Sequence, residues 1–405
     1  MPKIEPRNPP RQLPTVLSAF SGAGGLDLGL EAAGFEHLGL IEHDELCQQS
    51  LSLNRPQWPS IRWADIHIAS KECKPRHFGL KRGELDLLAG APPCQPFSTA
   101  AQWSSKSRRG IEDERASTVS SFLKLVSSFL PKVVLMENVP SFWNSAVGIE
   151  ALVRGFFTEL ASKGFRYRVE AQILNAADYG VPQIRKRAII VAWRTKDEFQ
   201  WPVGKFTSAP MTSWDALCEI TPKVAPEAKG KWAQLLPSIP EGWNYIWHTN
   251  KGEGRELFGY RTKFWSFLLK LAKDRPAWTL AAQPGPSTGP FHWDNRPLAT
   301  EEMLALQTFP VAWKLKGAYR DHVKMIGNAT PPLLAEVLGR AIRKSLLKRP
   351  LRRNLSYLPR QASNPPVTSL VSAVPDEFLK YEKNHPAHPG KGKGPKPRLE
   401  LQDSN

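Results

Sequence analysis

Gly90-Ala-Pro-Pro-Cys-Gln-Pro-Phe-Ser98, reached through the apolar run Leu85-Asp-Leu-Leu-Ala89, decides how the chain is read. The run has strand length and reads as a short buried strand. Pro92, Pro93 and Pro96 lack an N–H and fix φ, so neither a strand ladder nor a helix interior continues through them. Cys94 is therefore expected on a stiff loop at a strand's carboxyl end, the place where open α/β sheets bind their ligands. A lone cysteine is more often a small buried hydrophobe, so the role of this thiol rests on its surroundings.

Similar runs recur on both sides. Thr15 to Phe20, Leu38 to Ile41, Val133 to Met136 and Ala188 to Ala192 read as further short strands. Val119 to Phe129 and Ile149 to Lys163 have helical spacing, with Gly164 as a stop. This alternation predicts βα units around a mainly parallel sheet, an α/β domain over residues 15–195. From 196 to 296 the texture changes to Trp, Pro, Gly and Lys with weak periodicity, which predicts a smaller, irregular domain. Helical spacing returns in 297–349, where Thr300 is expected to cap a helix reaching Phe309 and a last helix runs from Pro332 to about Lys348. Residues 1–14 are polar and proline-rich and read as a flexible terminus. Residues 350–405 are basic and rich in Pro and Ser; they are expected to lack fixed structure, so that their removal leaves the fold intact.

The chain of 405 residues carries a formal charge of +17. Eleven Lys and Arg against five Asp and Glu from Lys348 onward leave +11 on the body, so the excess is not a tail effect alone. A polyanionic partner follows, nucleic acid first. Neither an apolar run of membrane length nor a signal-peptide pattern appears, which implies a soluble, cytoplasmic protein with no membrane partner. Cys47, Cys73, Cys94 and Cys218 are scattered without CxxC spacing, so no metal site or disulfide framework is indicated.

The first strand delivers the chain into Phe20-Ser-Gly-Ala-Gly-Gly-Leu26, whose glycines permit a tight turn and close approach of a ligand to the backbone. No P-loop Lys-Ser/Thr follows to hold phosphates. Glu42 ends the next strand, where a carboxylate accepts from ribose hydroxyls, and Asp65 is placed to meet an adenine edge. An adenosine-containing cofactor without a triphosphate fits this set best.

In order, Phe20 to Leu26, Glu42, Asp65, Pro93-Cys94, Glu137-Asn138-Val139, Gln183-Ile-Arg185-Lys-Arg187, Leu306-Gln-Thr-Phe-Pro310 and Gly327-Asn-Ala-Thr-Pro-Pro332 resemble the motif series of the DNA cytosine-5 methyltransferases. The resemblance spans residues 16 to about 345 and is loosest in the Trp-rich region. It implies a Rossmann-like, S-adenosylmethionine-dependent sheet with a target-recognition domain at 196–296, no metal, and methyl transfer to C5 of a cytosine flipped out of duplex DNA. By the same resemblance Cys94 adds to C6, Glu137 donates at N3, and Arg185 and Arg187 face O2 or hold the active-site carboxylate and phosphates. Phe20, Gly22, Gly24, Gly25, Leu26, Glu42, Asp65, Ile66, Pro93, Asn328 and Ala329 are the implied cofactor residues. Gln95, Ser98, Arg255, Arg261 and Lys263 are the implied DNA contacts, with Asn250 and Lys251 as further candidates.

A monomer acting on double-stranded DNA is expected, as a restriction-modification or an orphan methylase; a cognate restriction endonuclease, where one exists, is a genetic rather than physical partner. Two other readings stay open: a tRNA cytosine-5 methyltransferase of the same fold, and a catalytically silent DNA-binding relative. The size of the recognition region favours DNA. Intact Cys94, Glu137 and Arg187 favour an active enzyme.

Overall fold

The computed structural model describes residues 13–93, 108–143, 149–258, 265–351 and 354–382, with side chains described from 118 onward in the segment that begins at 108. The first half of the chain runs β1 (Thr15–Ala19), α1 (Gly25–Ala32), β2 (Glu36–Ile41), α2 (Glu45–Asn54), α3 (Ile66–Glu72), β3 (Leu87–Gly90), α4 (Arg108–Phe129) and β4 (Val133–Asn138). There follow α5 (Pro140–Trp143), α6 (Ile149–Ser162), β5 (Arg168–Asn175), β6 (Gln183–Ile184) and β7 (Lys186–Trp193). After α7 (Ser213–Leu217) and β8 (Ala277–Trp278), the chain closes with α8 (Thr300–Leu306), α9 (Tyr319–Asn328), α10 (Pro332–Ser345) and α11 (Asp376–Leu379).

Six strands form one sheet in the order β2-β1-β3-β4-β7-β5. The first four are parallel, as the alternation predicts, and β7 runs antiparallel to both β4 and β5. Successive side chains point to opposite faces, and the two faces build two cores. Leu17, Val134 and Ile190 meet α4 and α6 through Phe122, Phe129 and Phe157. Val16, Leu135 and Val191 meet α1 and α10 through Leu30, Leu334 and Leu338. Strand β5 escapes the sequence reading because Arg168, Glu170, Gln172 and Ile173 are exposed on this edge strand, so its apolar signal is weak. The other five strands of this sheet are legible because their runs are largely buried on both faces, whereas the two-residue strands β6 and β8 are too short to give a run.

Residues 196–296 divide between two further cores. Leu217, Leu271, Leu280 and Trp293 join Leu28, Trp58, Met303, Leu306, Trp313 and Ile326 beside the sheet. Leu235, Leu236, Ile239, Tyr245, Leu257, Leu268 and Phe291 form a separate cluster, completed by Phe378. The parallel β6–β8 pair, with Gln183 opposite Ala277, ties this region back to the strand pattern.

Three expectations are corrected. Ala299, not Thr300, is the cap of α8; Thr300 begins the helix and its hydroxyl lies 3.0 Å from His322 Nδ1, while the Glu302 carboxylate accepts the Ala299 N–H. The last long helix ends at Ser345 rather than Lys348. Of the tail 350–405, expected to lack fixed structure, residues 354–382 are placed while 352–353 and 383–405 lie outside the described residues: in the placed part a polar, proline-rich sequence buries Phe378, a large ring whose weight a composition argument misses.

Helix α1 crosses α10 at Gly29. A Cβ there would stand closer than 3.0 Å to Ala335 Cβ, Pro332 O and Glu336 N, two of them backbone atoms. Gly29→Ala gains ~1 kcal/mol of helix propensity, but overpacking costs ~1–3 kcal/mol. Urea unfolding should therefore show a lowered midpoint; a raised one would mean that the two helices separate freely.

Candidate active site

Strand β1 ends where Phe20 turns into the left-handed region at φ 60, its N–H still held by Ile41 O at 2.8 Å. A bulky residue held there marks backbone strain of the kind that clusters at ligand sites. Gly22 follows at φ 53, and the Gly22 N–H donates to Glu42 Oε2 at 2.6 Å. The other oxygen, Oε1, accepts the Asp44 N–H at 2.7 Å. One carboxylate thus fixes the glycine loop to the end of β2, and each oxygen keeps a lone pair for a further donor. Burial, the largest influence, raises the Glu42 pKa above its ordinary value, against the pull of these N–H bonds.

The proline loop is fastened from β4. Asn138 Nδ2 donates to Pro92 O at 2.7 Å, and Asn138 Oδ1 accepts the Val139 N–H at 2.9 Å. Glu137 stands opposite Ile189 in the antiparallel β4–β7 register. Arg187, two residues along β7, is therefore its diagonal neighbour on the same face. Its Nε lies 3.0 Å from Glu137 Oε1, with the Glu137 side chain 6% exposed. A buried carboxylate is thereby held beside a guanidinium at the carboxyl end of the sheet.

The far wall comes from the chain's return through α9 and α10. Arg185 is fully buried, and its Nη2 donates to Gly327 O and Ala329 O, each at 2.8 Å. Gln307 Nε2 donates to Ile326 O at 2.7 Å, and Trp313 Nε1 to Ala23 O at 3.1 Å. Lys324 Nζ, 3.2 Å from Asp44 Oδ2, links α9 to the start of α2. A cavity of 510 Å³ lies within these elements.

Phe20, Gly22, Leu26, Glu42, Asp65, Ile66, Pro93, Glu137, Arg187, Asn328 and Ala329 all line that cavity. Asp65 also caps α3, accepting the His67 N–H at 2.6 Å. Gly24, Gly25 and Arg185 are not among the lining residues. A Cβ on Gly24 would meet Leu51 and Trp313, and one on Gly25 would meet Thr330 O, so close packing requires glycine at both positions. It is Arg187 that meets the active-site carboxylate, while Arg185 Nη2 pins the backbone behind the wall. Arg255, Asn250 and Lys251 are exposed outside the cavity, Arg255 Nη1 lying 3.3 Å from Glu382. Cys94, Gln95, Ser98, Arg261 and Lys263 lie outside the described residues.

Sequence reasoning missed Asp44 and Lys324, which line the cavity as an ion pair. The signal available was Asp44-Glu45-Leu46 as a helix start; nothing local couples it to a lysine 280 residues on. The fastening role of Asn138 was likewise invisible, although the residue itself belongs to a quoted motif.

A family model described as C-5 cytosine-specific DNA methylase matches residues 15–344. The chain is 32% identical over 370 residues to the Type II methyltransferase M.SacI of Streptomyces achromogenes, covering 82% of this chain and 93% of that one. It is 30% identical over 354 residues to M.NgoMIV of Neisseria gonorrhoeae, covering 82% and 98%. Among solved structures, an Escherichia coli prophage-encoded DNA modification methyltransferase superposes with a TM-score of 0.59 at 22% identity, covering 83% of this chain and all of that one. The Entamoeba histolytica methyltransferase EhMeth gives 0.54 at 16%, covering 82% and 99%. At these identities the two structures establish the shared fold.

Removing the Arg185 guanidinium would strand two buried carbonyls. Each unsatisfied group costs ~1–3 kcal/mol, so Arg185→Met should lower the unfolding free energy by at least ~2 kcal/mol in urea titrations. A stability equal to the parent protein's would show that water replaces the guanidinium there.

Proposed function

The chain belongs to the C-5 cytosine-specific DNA methylase family, and from that premise we propose how its residues transfer a methyl group from S-adenosylmethionine to C5 of cytosine in duplex DNA. The observation that carries the reading is the convergence on one cavity of the Glu42-held glycine loop and the Glu137–Arg187 pair. The first suits an adenosine group and the second suits a pyrimidine edge.

The donor set fits the cofactor. Glu42 has free lone pairs for ribose hydroxyls, Asp65 offers a second acceptor, and Phe20, Leu26 and Ile66 supply apolar contact. Asn328 and Ala329 stand on the opposite wall. When bound there, S-adenosylmethionine supplies an electrophilic methyl group.

Cytosine C5 is a poor nucleophile until a group adds at C6. The Cys94 thiolate forms a bond to C6, and electron density moves through the ring toward N3, where Glu137 donates a proton. Arg187 Nε beside Glu137 Oε1 keeps that carboxyl oriented. C5, now enamine-like, would take the methyl group, with S-adenosylhomocysteine as the leaving group. A base then removes the C5 proton, the electron pair expels Cys94 as thiolate, and N3 returns its proton to Glu137. The buried Asn138–Pro92 bond holds the start of the loop that carries Cys94. Because C6 is closed to attack within a stacked duplex, the base is flipped into the cavity, which calls for a second body gripping the DNA. Region 196–296 takes that role, with Arg255, Arg261 and Lys263 as candidate contacts, and the +17 charge favours phosphate binding. The likeness to Type II methyltransferases supports a modification role, beside a separately encoded restriction endonuclease or as an orphan methylase, and a monomer is the proposed acting form.

Bisulfite sequencing of a plasmid from cells expressing the chain should show one methylated sequence context. Cys94→Ala should abolish methylation while DNA binding persists, and the parent protein should form a denaturant-resistant adduct with 5-fluorocytosine DNA. Full activity in Cys94→Ala would sink the covalent route.

Glu42→Ala should weaken S-adenosylhomocysteine binding by about 1–3 kcal/mol in calorimetry. Only the ionised carboxylate accepts from every donor around it. Affinity should therefore fall as pH is lowered through the raised Glu42 pKa, starting above its ordinary 4.5. Glu42→Gln should remove that acid sensitivity; unchanged sensitivity would place the titrating group elsewhere.

A further inference from the structure

We infer that residues 354–379 are a positioning strap that holds the region-196–296 cluster against the catalytic sheet, so that duplex DNA binding depends on a segment beyond the family's matched residues. The inference rests on the reading of this chain as a DNA methyltransferase. The family match ends at residue 344, so the strap lies outside the matched residues.

One end is fixed to the catalytic side. Glu336 of α10 is fully buried, and its carboxylate accepts the Ser356 N–H at 2.8 and 2.9 Å and the Tyr357 N–H at 3.2 Å. Arg340 Nη1 donates to Asn354 O at 2.7 Å. Tyr357 packs against both the α1–α10 core and the Trp58–Trp313 core.

The other end is fixed to the separate cluster. Phe378 is 2% exposed and stacks on Trp232, with centroids 5.6 Å apart and planes at 19°. Tyr381 lies 5.5 Å from the same indole. The cluster has eight buried members, and Phe378 is the one that the tail supplies. Between the anchors the Ala362 N–H donates to Asp215 Oδ1 at 2.7 Å and the Ser372 N–H to Pro237 O at 3.0 Å. Val367 and Leu370, at 93% and 98% exposed, are left in solvent, so this span bridges rather than fills. A segment that merely covered the cluster would need no buried carboxylate on α10. Two anchors on two bodies make it a tether.

The test is a double-mutant cycle in the full chain, with Phe378→Ala releasing the distal anchor and Glu336→Gln the proximal one. Each single variant should raise the KM for duplex DNA at least tenfold. It should also weaken filter binding of DNA in the presence of S-adenosylhomocysteine to the same degree. The S-adenosylhomocysteine dissociation constant should stay within twofold. The double variant should be little worse than either single one, because a tether cut once is already cut, and Phe378→Leu should restore most of the affinity. Additive losses, an unchanged KM for DNA, or insoluble protein or lost S-adenosylhomocysteine binding in both single variants would overturn the strap. The DNA-binding arm needs no catalysis, so a parent protein that binds DNA without methylating it would fail the functional reading while still deciding this one.

Discussion

A single buried guanidinium sets where the catalytic walls stand. Arg185 leaves the β6–β7 junction and reaches the carbonyls of Gly327 and Ala329, more than 140 residues away, in the interior. The sheet alone supplies the floor and one wall of the cavity; the other wall arrives only after the chain has built the Trp-rich region and returned. Hydrogen bonds from a charged donor are about twice as strong as neutral ones, and a guanidinium cannot neutralise itself by losing a proton. Its burial is tolerated only with acceptors in place, so it specifies where the returning segment sits. Gln307 and Trp313 add bonds to the backbone of the same wall and of the glycine loop.

With the wall fixed, the reactive groups follow from strand register. The antiparallel β7 brings Arg187 diagonally beside Glu137, which no parallel βαβ continuation would do at that spacing. The departure from a parallel sheet is thus tied to the chemistry. Glu42 plays the corresponding part at the other end of the cavity, where one carboxylate orders the glycine loop and remains open to donors. Both carboxylates lie at strand ends, the positions at which sheet amides stop using their own partners.

Residues that announce themselves by local pattern were legible. Strands buried on both faces give continuous apolar runs, and Glu42 and Asp65 stand at strand and helix ends where a carboxylate has an obvious use. Arg185 and Arg187 could not be told apart, since they share one chemistry two residues apart; the break between β6 and β7 turns one behind the wall and leaves the other on it. The packing role of Gly24 and Gly25 was hidden because glycine is the same letter whether it spares a cofactor or Leu51, Trp313 and the Thr330 carbonyl. The Lys324–Asp44 pair and the Glu336 anchor are long-range pairings that carry no local period.

The Trp-rich region was the least legible for a reason that bears on its design. Its short helices and turns bury large rings with few repeating positions: Trp232 alone meets Phe258, Phe267, Phe378 and Tyr381. Aromatic residues bury much area each, so a small cluster suffices without long periodic elements. Such a core tolerates loops of any sequence around it, which suits the DNA-gripping role proposed for this region. Other residues of 196–296, Leu217, Leu271, Leu280 and Trp293, are shared with the core beside the sheet. Orientation between the two bodies then comes from that shared core, from the β6–β8 pair and from the tail. A body held through a shared core and one strand pair can vary its outer surface without disturbing the cavity.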